Sequence, residues 1–304
     1  MASERLKAEL GPIQLRSPLI AASGTVGSVW EWASVAEVAP FGAAVAKSVA
    51  PVEWPGRAAP RLAPSGPGML NGIGIQNPGI EAWVEKMAHL LPTLDVPVWG
   101  SAVGETPDEF AMVAKGLSAA GVPVVEVNLS CPNLEDGRMF SLDAPRAAEV
   151  IAAVAATADV PIGAKLSPNT DDVVGVAAAC LEAGASFLTL TNTLLGFGID
   201  LDTGRPLLSG GVGGYSGPGL KPVSLRCVYE VARAIPDTPI IGCGGVTSGA
   251  DVVEYLLAGA SAVAVGTALL ADPRAGSRIV RELEEEVDRR DATVMGLVAQ
   301  VQSW

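Results

Sequence analysis

Short apolar runs alternate with alanine-rich helical stretches along the whole chain. Eight runs have the length and composition of buried strands, and they are Leu19–Ala22, Ala43–Lys47, Val96–Ala102, Val124–Asn128, Pro161–Leu166, Phe187–Asn192, Pro239–Cys243 and Ala262–Gly266. Stretches with helical periodicity predict helices near residues 31–38, 79–90, 107–120, 144–157, 171–183, 221–235, 248–258 and 273–290. Eight strands, each followed by a helix, predict a (β/α)₈ TIM barrel that forms a single domain over residues 1–304. A doubly wound open sheet is the alternative fold.

Two connections are longer than ordinary strand-to-helix turns. They span Ser48–Pro78 and Thr193–Gly219, after the second and sixth predicted strands. Loops of this length inside a compact fold are usually functional. Both follow the C-terminal end of a strand, which is where (β/α)₈ barrels build their active sites.

Composition and charge exclude several classes of function. The chain has 20 basic and 33 acidic residues, a net charge of −13, which argues against nucleic acid as a partner. Its four cysteines form no CxxC pair, so we expect neither an iron–sulfur cluster, a structural zinc site nor disulfides, and we expect a cytoplasmic location. No apolar run of about 18 residues and no signal-type N-terminus is present, so we expect no membrane association.

A single histidine limits the available chemistry further. His89 lies in a predicted helix away from the strand ends, and we expect it to be a surface or interface residue. A Ser-His-Asp triad or a multi-histidine metal site is therefore hard to build, and no metal is expected.

Polar residues gather at the C-terminal ends of the predicted strands. Because side chains alternate along a strand, Lys47, Asn128, Lys165 and Asn192 should all point into the barrel mouth. A single lysine there would often be a solvated rim residue, but two lysines of the same parity could hold an anionic flavin or a carboxylate. Glu126 lies on the same face as Asn128, and we expect it to pair with a barrel lysine.

Asparagine suits a ligand with alternating N–H and C=O groups, because its amide both donates and accepts hydrogen bonds. Asn71, Asn128, Asn133 and Asn192 could surround such a molecule, for example a pyrimidine imide. Each of them alone would more often be a turn or capping residue.

Glycine clusters follow the last two predicted strands. The seventh strand runs into Gly244 and Gly245, and the eighth runs into Gly266 and Thr267. These two loops, with a helix N-terminus, form the usual phosphate site of the barrel. The phosphate could belong to FMN or to a sugar-phosphate substrate, whereas the glycine spacing does not fit a Rossmann fingerprint.

Six motifs resemble the dihydroorotate dehydrogenase family, in the family's order and over essentially the whole chain. They are GMLNGIGIQNPG at 68–79, VNLSCPN at 127–133, AKLSPN at 164–169, LTNT at 190–193, YSGPGLKP at 215–222 and IIGCGG with AVGT within 240–267. The likeness is strongest for the class 1B branch. It implies FMN-dependent oxidation of dihydroorotate to orotate in de novo pyrimidine biosynthesis. It also implies a homodimer or a heterotetramer with an iron–sulfur and FAD subunit that passes electrons to NAD.

The resemblance also implies a role for individual residues. Cys131 would be the general base that removes a proton from C5 of dihydroorotate while C6 delivers hydride to the flavin. The implied substrate-binding residues are Lys47, Asn71, Gly72, Ile73, Gly74, Ile75, Asn128, Asn133, Asn192 and Thr193. The implied FMN-binding residues are Ser23, Lys47, Ser48, Asn128, Lys165, Thr191, Gly217, Gly244, Gly245, Gly266 and Thr267.

Cysteine is a plausible base, since a thiol with a pKa of about 8.5 ionises far more readily near neutral pH than a hydroxyl. The stretch from Ser130 to Ser141, rich in Pro, Asn and Gly, could fold over a bound substrate. Class 2 members of the family carry serine as the base and an N-terminal extension, and this chain matches neither feature. Cys180, Cys227 and Cys243 are expected to be buried structural residues.

The chain departs from the family at two positions near the expected flavin. Ser101 stands where the family usually has Asn, and Ser48 stands where the 1B branch often has Ala.

Two other functions fit the motifs. One is a dihydropyrimidine dehydrogenase-like pyrimidine reductase. Lys47 argues against it, because a lysine favours an acid substrate such as orotate. The other is a non-catalytic flavin- or phosphate-binding barrel, against which Cys131 argues because simple binding needs no base.

Overall fold

A closed barrel of eight parallel strands forms the centre of the computed structural model, which describes residues 4–130 and 139–302. In chain order, the first to eighth barrel strands are Leu19–Ala21, Ala43–Val45, Val98–Ala102, Val125–Asn128, Ile162–Leu166, Phe187–Leu190, Ile240–Cys243 and Ala262–Val265. Each strand pairs with the next, and the eighth pairs with the first through Val263 and Leu19. The predicted TIM barrel is confirmed, and the doubly wound alternative is wrong.

Helices follow the barrel strands and pack around them. They span Trp30–Ala33, Ile80–Met87, Pro107–Ala119, Ala144–Ala155, Val173–Glu182, Lys221–Ala234, Gly249–Ala258 and Ala275–Arg289, with two further short helices at Thr267–Ala271 and Val294–Leu297. Several begin directly after a residue whose side chain caps the helix. Thr106, for example, accepts a hydrogen bond from the backbone N–H of Glu109, directly before Pro107. No helix of the described residues combines the length and apolar composition needed to cross a bilayer.

The predicted helix boundaries differ mainly at two places. The first helix has four residues rather than eight, and the second ends at Met87, so His89 lies in the turn after it and is exposed. An N-terminal hairpin of Ala8–Leu10 and Ile13–Leu15 was not predicted, because each strand is only three residues long. Its turn packs near Ser186 and Pro239, at the N-terminal ends of the sixth and seventh barrel strands.

The two long loops form one antiparallel sheet over the C-terminal end of the barrel. The loop after the second barrel strand supplies Leu62–Ser65 and Gly68–Asn71, and the loop after the sixth supplies Leu194–Gly196 and Gly213–Ser216. Gly214 pairs with Asn71, which joins the two loops in the middle of the sheet. We call this four-stranded structure the mouth sheet.

Aromatic rings fill the barrel interior below its polar upper layer. The rings of Trp99 and Phe187 lie 5.6 Å apart and both side chains are buried. Gly163 makes room for them, because a Cβ at this position would lie 2.1 Å from the Phe187 ring. The next inward-facing residues on the neighbouring strands are Lys165 and Thr189, so the floor of the cavity above is polar.

Candidate active site

A cavity of about 740 Å³ lies between the C-terminal ends of the barrel strands and the mouth sheet. This volume is typical of small-molecule and cofactor sites. Barrel residues such as Lys47 and Lys165 line it from below, and mouth-sheet residues such as Met69 and Ser216 line it from above. The cavity therefore lies at the end of the barrel where the sequence predicted a site.

Every predicted site residue that the structure describes lines this cavity. These residues are Ser23, Lys47, Ser48, Asn71, Gly72, Ile73, Gly74, Ile75, Asn128, Lys165, Thr191, Asn192, Thr193, Gly217, Gly244, Gly245, Gly266 and Thr267. The predicted base Cys131 and the predicted substrate ligand Asn133 lie outside the described residues. The individual roles assigned to all these residues remain predictions.

A buried lysine at the base of the cavity pairs with a buried glutamate. Lys165 Nζ lies 3.5 Å from Glu126 Oε1, and both residues are almost fully buried. Thr189 Oγ1 donates a hydrogen bond of 2.9 Å to the other carboxylate oxygen of Glu126. Burial lowers the pKa of the Lys165 ammonium, but Glu126 and, to a smaller extent, Cys243 together outweigh burial and hold the pKa above its ordinary value. Lys165 is therefore charged at neutral pH, and the predicted pairing of Glu126 with a barrel lysine is correct.

A chain of side-chain hydrogen bonds crosses the barrel mouth. Asn192 Nδ2 donates to Asn128 Oδ1 at 3.2 Å, and Asn128 Nδ2 donates to Ser48 Oγ at 3.3 Å. Ser48 Oγ lies 2.9 Å from Ser101 Oγ in the third barrel strand. The backbone N–H of Thr193 donates to Asn192 Oδ1 at 2.8 Å, so both amides have a fixed orientation. The two asparagines predicted to face a common ligand thus lie side by side.

Asn71 lies on the opposite wall of the cavity, in the mouth sheet. Its Nδ2 donates to the backbone carbonyl of Gly214 at 3.1 Å, across the pair of strands that joins the two loops. Asn71 therefore connects the two loops and also lines the cavity. The predicted stretch from Asn71 to Ile75 continues along that wall.

Glycines bring backbone close to the cavity after the seventh barrel strand. Gly245 has a φ of +68°, and a Cβ there would lie 2.8 Å from the Lys221 side chain and 2.9 Å from the Gly217 carbonyl oxygen. No larger residue fits without moving its neighbours. The helix that follows is already capped by Ser248 and Asp251. An anion in this region would therefore meet the backbone of the glycine loops rather than the N-terminus of that helix.

Several cavity-lining residues were not predicted, among them Arg57, Ser130, Ser216 and Cys243. Arg57 and Ser216 belong to the loops that form the mouth sheet, so nothing local in the sequence predicts their position. Cys243 ends the seventh barrel strand. That position, at the end of the barrel that carries the site, is the sequence signal that could have identified it as a cavity residue. Burial raises the pKa of its thiol, and the nearby Lys165 offsets this only in part. Cys180 and Cys227 are buried as expected.

The chain enters and leaves residues 131–138 at the cavity wall. Ser130 Oγ donates a hydrogen bond of 3.0 Å to the backbone carbonyl of Lys165, and its own N–H donates to Asn128 Oδ1 at 3.3 Å. Ser130 and Met139, which flank the segment, both line the cavity. Cys131 is thus attached directly to a residue fixed at the site.

The residues present fit a flavin mononucleotide. The cavity combines a buried ammonium at Lys165, amide and hydroxyl groups at the barrel mouth, and a glycine loop in which Gly244 and Gly245 have no room for a Cβ. An electron-rich ring system is stabilised by a buried cation, and a phosphate is bound by backbone N–H groups of glycine-rich loops.

Comparison with known proteins gives a consistent assignment. The profile described as dihydroorotate dehydrogenase matches residues 5–287. The chain is 41% identical over 285 residues to a protein of Alkaliphilus metalliredigens, covering 93% of this chain and 94% of the relative. It is 43% identical over 289 residues to one of Citrifermentans bemidjiense, covering 94% of each chain. It is 44% identical over 275 residues to one of Geobacter sp. strain M21, covering 90% of each. All three relatives are named dihydroorotate dehydrogenase B (NAD(+)), catalytic subunit. This chain belongs to the dihydroorotate dehydrogenase family.

Proposed function

We propose that this chain is the catalytic subunit of an FMN-dependent dihydroorotate dehydrogenase that makes orotate in de novo pyrimidine biosynthesis. The main support for the proposal is the arrangement of polar side chains at the base and mouth of the cavity. A buried cation, Lys165, lies beneath a cavity at whose mouth two oriented amides, Asn128 and Asn192, are hydrogen-bonded to each other. The names of the close relatives support the same activity. We propose further that residues 1–304 act as one domain.

FMN is the cofactor that we assign to the cavity. When bound, it would accept the hydride that leaves C6 of dihydroorotate. Ser23, Ser48, Lys165 and Thr191 would hold its ring system, and the glycine loops after the seventh and eighth barrel strands would hold its phosphate. Lys165 would also stabilise negative charge that develops on the ring, because a buried, pre-positioned cation needs no reorganisation during the reaction.

Dihydroorotate presents a carboxylate and alternating N–H and C=O groups, and the other cavity residues match them. Asn71, Asn128, Asn133 and Asn192 would pair with the ring amides, since each side chain offers one acceptor and two donors. Lys47, which lines the cavity half-buried, would bind the carboxylate. A neutral pyrimidine offers no carboxylate for Lys47 to bind. This charge match favours dihydroorotate over uracil-type substrates.

Cys131 is the residue that we propose as general base. Its thiolate would take the proton from C5, and the thiol would then return that proton to solvent. The adjacent Ser130 is held at the cavity wall by two hydrogen bonds, which supports a position for Cys131 close to the substrate. Cys243 also lines the cavity. Burial raises the pKa of its thiol, so less of it is present as the thiolate that could accept a proton.

The electrons would leave the chain through a second protein. The relatives are named catalytic subunits of an NAD(+)-linked enzyme, which implies a partner for them. We propose that this chain likewise works with a subunit that carries an iron–sulfur cluster and FAD, as a heterotetramer built on a homodimer. The cytoplasmic location expected from the cysteines stays a prediction.

Anaerobic reduction of the bound flavin tests the proposed function. The purified chain should be yellow, and dihydroorotate should bleach its visible flavin absorbance, whereas dihydrouracil should not. Bleaching by dihydrouracil alone would favour the pyrimidine reductase instead. A yellow protein that neither compound bleaches would favour a non-catalytic flavin-binding barrel, and a colourless protein that cannot be loaded with FMN would overturn the cofactor assignment.

A further inference from the structure

Two serine hydroxyls lie one behind the other at the edge of the cavity. Ser48 follows the second barrel strand and Ser101 lies in the third, and their Oγ atoms are 2.9 Å apart. Both residues are buried, Ser48 to 2% and Ser101 to 0% exposure. Ser48 lines the cavity, but Ser101 lies behind it and does not. Ser101 can therefore act on a bound ligand only through Ser48.

The direction of the hydrogen bond between these serines follows from the number of available partners. A hydroxyl has one hydrogen to donate and two lone pairs that accept. Among the residues that the structure describes, Ser48 Oγ is the one hydrogen-bonding partner of Ser101 Oγ. If Ser48 donated, the hydrogen of Ser101 would be buried without an acceptor, which is unfavourable. Ser101 is therefore the donor and Ser48 the acceptor.

Ser48 also accepts a hydrogen bond from a second side chain. Asn128 Nδ2 donates to Ser48 Oγ at 3.3 Å, and the orientation of that amide is fixed because Asn128 Oδ1 accepts from Asn192. Both lone pairs of Ser48 are then occupied, so its own hydrogen must point to another acceptor. No described residue supplies that acceptor, and Ser48 lines the cavity. The hydroxyl hydrogen of Ser48 therefore faces the cavity.

We propose that Ser101 is a positioning residue that orients the Ser48 hydroxyl as a hydrogen-bond donor to bound FMN. This role rests on the proposed function, because FMN must occupy the cavity to receive the hydrogen bond. The ring system of a flavin offers carbonyl oxygens and ring nitrogens as acceptors. A donor whose direction is set in advance binds such an acceptor without losing rotational freedom.

The test is the affinity of the FMN-free chain for FMN, measured by quenching of flavin fluorescence. Ser48→Ala and Ser101→Ala should each weaken FMN binding by about 3- to 10-fold, the effect of one lost neutral hydrogen bond. The double variant should bind FMN no more weakly than Ser48→Ala alone, because Ser101 acts through Ser48. The KM for dihydroorotate should stay unchanged in Ser101→Ala.

Ser17→Ala is the matched control. It removes another fully buried hydroxyl, one that accepts a hydrogen bond from the Leu19 N–H at the opposite end of the barrel, and it should leave FMN affinity unchanged. Ser101→Cys keeps the volume of the side chain but replaces the hydroxyl with a weak donor. It should weaken FMN binding too, and it serves as the test if Ser101→Ala does not fold.

Two results would overturn the role of Ser101 while leaving the proposed function intact. They are FMN affinity unchanged in both Ser101 variants, and additive weakening in the double variant. An unmodified chain that binds no FMN would overturn the proposed function and the role of Ser101 together.

Discussion

Lys165 and Glu126 form a buried ion pair directly beneath the cavity, with Nζ and Oε1 3.5 Å apart. The two residues come from the fifth and fourth barrel strands, where Lys165 lies opposite Asn128 and Glu126 lies opposite Gly163, so the ion pair runs diagonally between neighbouring strands. The attraction between two buried opposite charges offsets much of the cost of removing each from water. A single buried charge has no such compensation. The fold can therefore keep the Lys165 ammonium buried at the cavity wall.

Removing only the lysine should cost both stability and FMN affinity. Lys165→Met leaves the Glu126 carboxylate buried without its partner and should lower the free energy of unfolding by about 3–5 kcal/mol. It should also weaken FMN binding or slow flavin reduction. Lys165→Met combined with Glu126→Gln should recover much of the stability but not the FMN affinity. Urea unfolding and flavin fluorescence titration measure the two effects separately. Equal FMN affinity and equal rates of flavin reduction in the unmodified chain, the single variant and the double variant would exclude Lys165 from the flavin site.

Cys131→Ala should retain FMN but lose dihydroorotate oxidation by about 10²- to 10⁴-fold, the usual contribution of a general base. The flavin spectrum of the variant and its rate of anaerobic reduction are the measurements. Cys180→Ala is the matched control, since Cys180 is buried in the core away from the cavity. A yellow Cys131→Ala variant with normal turnover would remove Cys131 from the mechanism.

The rate of oxidation should rise with pH and level off above about 8.5, as the Cys131 thiol ionises. Two other titrating groups that line the cavity should not produce this rise. The raised pKa of Lys165 keeps it charged, and the raised pKa of Cys243 places its ionisation above that of an ordinary thiol. Initial rates between about pH 6 and 10 are the measurement. A profile that is flat over this range would argue against a thiol base.

Electron delivery to NAD should require the partner subunit. The sequence offers one flavin site, no CxxC pair and no Rossmann fingerprint, so no docking site for NAD is evident. The isolated chain should reduce dyes or oxygen slowly and NAD negligibly, and NAD reduction should appear when the partner is added. Strong NAD reduction by the chain alone would contradict this arrangement. Efficient use of fumarate would instead indicate the single-subunit class 1A behaviour.

Gly163→Ala tests the packing below the ion pair. The added Cβ would lie 2.1 Å from the Phe187 ring, which also contacts Trp99, so the aromatic layer must shift. We expect a loss of about 1–3 kcal/mol of stability, as is typical of overpacking. Thermal unfolding of the FMN-free chain measures it. Unchanged stability in Gly163→Ala would mean that the ring has room to move.

The barrel could be predicted because its strands are continuous apolar runs, each readable without reference to its partners. Lys165 and Asn128 could be placed in the mouth for the same reason, since side-chain parity within one strand is a local property. The mouth sheet could not be predicted in this way. Its strands have three or four residues, three of the four contain glycine, and its central pair joins positions about 140 residues apart, as Asn71 and Gly214 do. Arg57 and Ser216 line the cavity from these loops, and they were not predicted because the mouth sheet was not.

Ser101 shows a second limit of sequence-based prediction. Its departure from the family pattern is visible, but its function depends on which neighbour its single hydrogen reaches. That neighbour, Ser48, lies 53 positions earlier in the chain. Only the register of the second and third barrel strands brings the two together. A hydrogen bond between side chains of neighbouring strands does not change the apolar pattern of either strand, so the sequence pattern does not predict it.

The pairing of the two long loops in the mouth sheet limits how this barrel can be re-engineered. Gly68–Asn71 is bordered on one side by a strand of its own loop and on the other by Gly213–Ser216 from the second loop. Gly213 leaves no room for a side chain, because a Cβ there would lie 2.4 Å from the Asn71 carbonyl oxygen. A chimera that takes one loop from a relative should therefore fail unless it takes the other loop from that same relative.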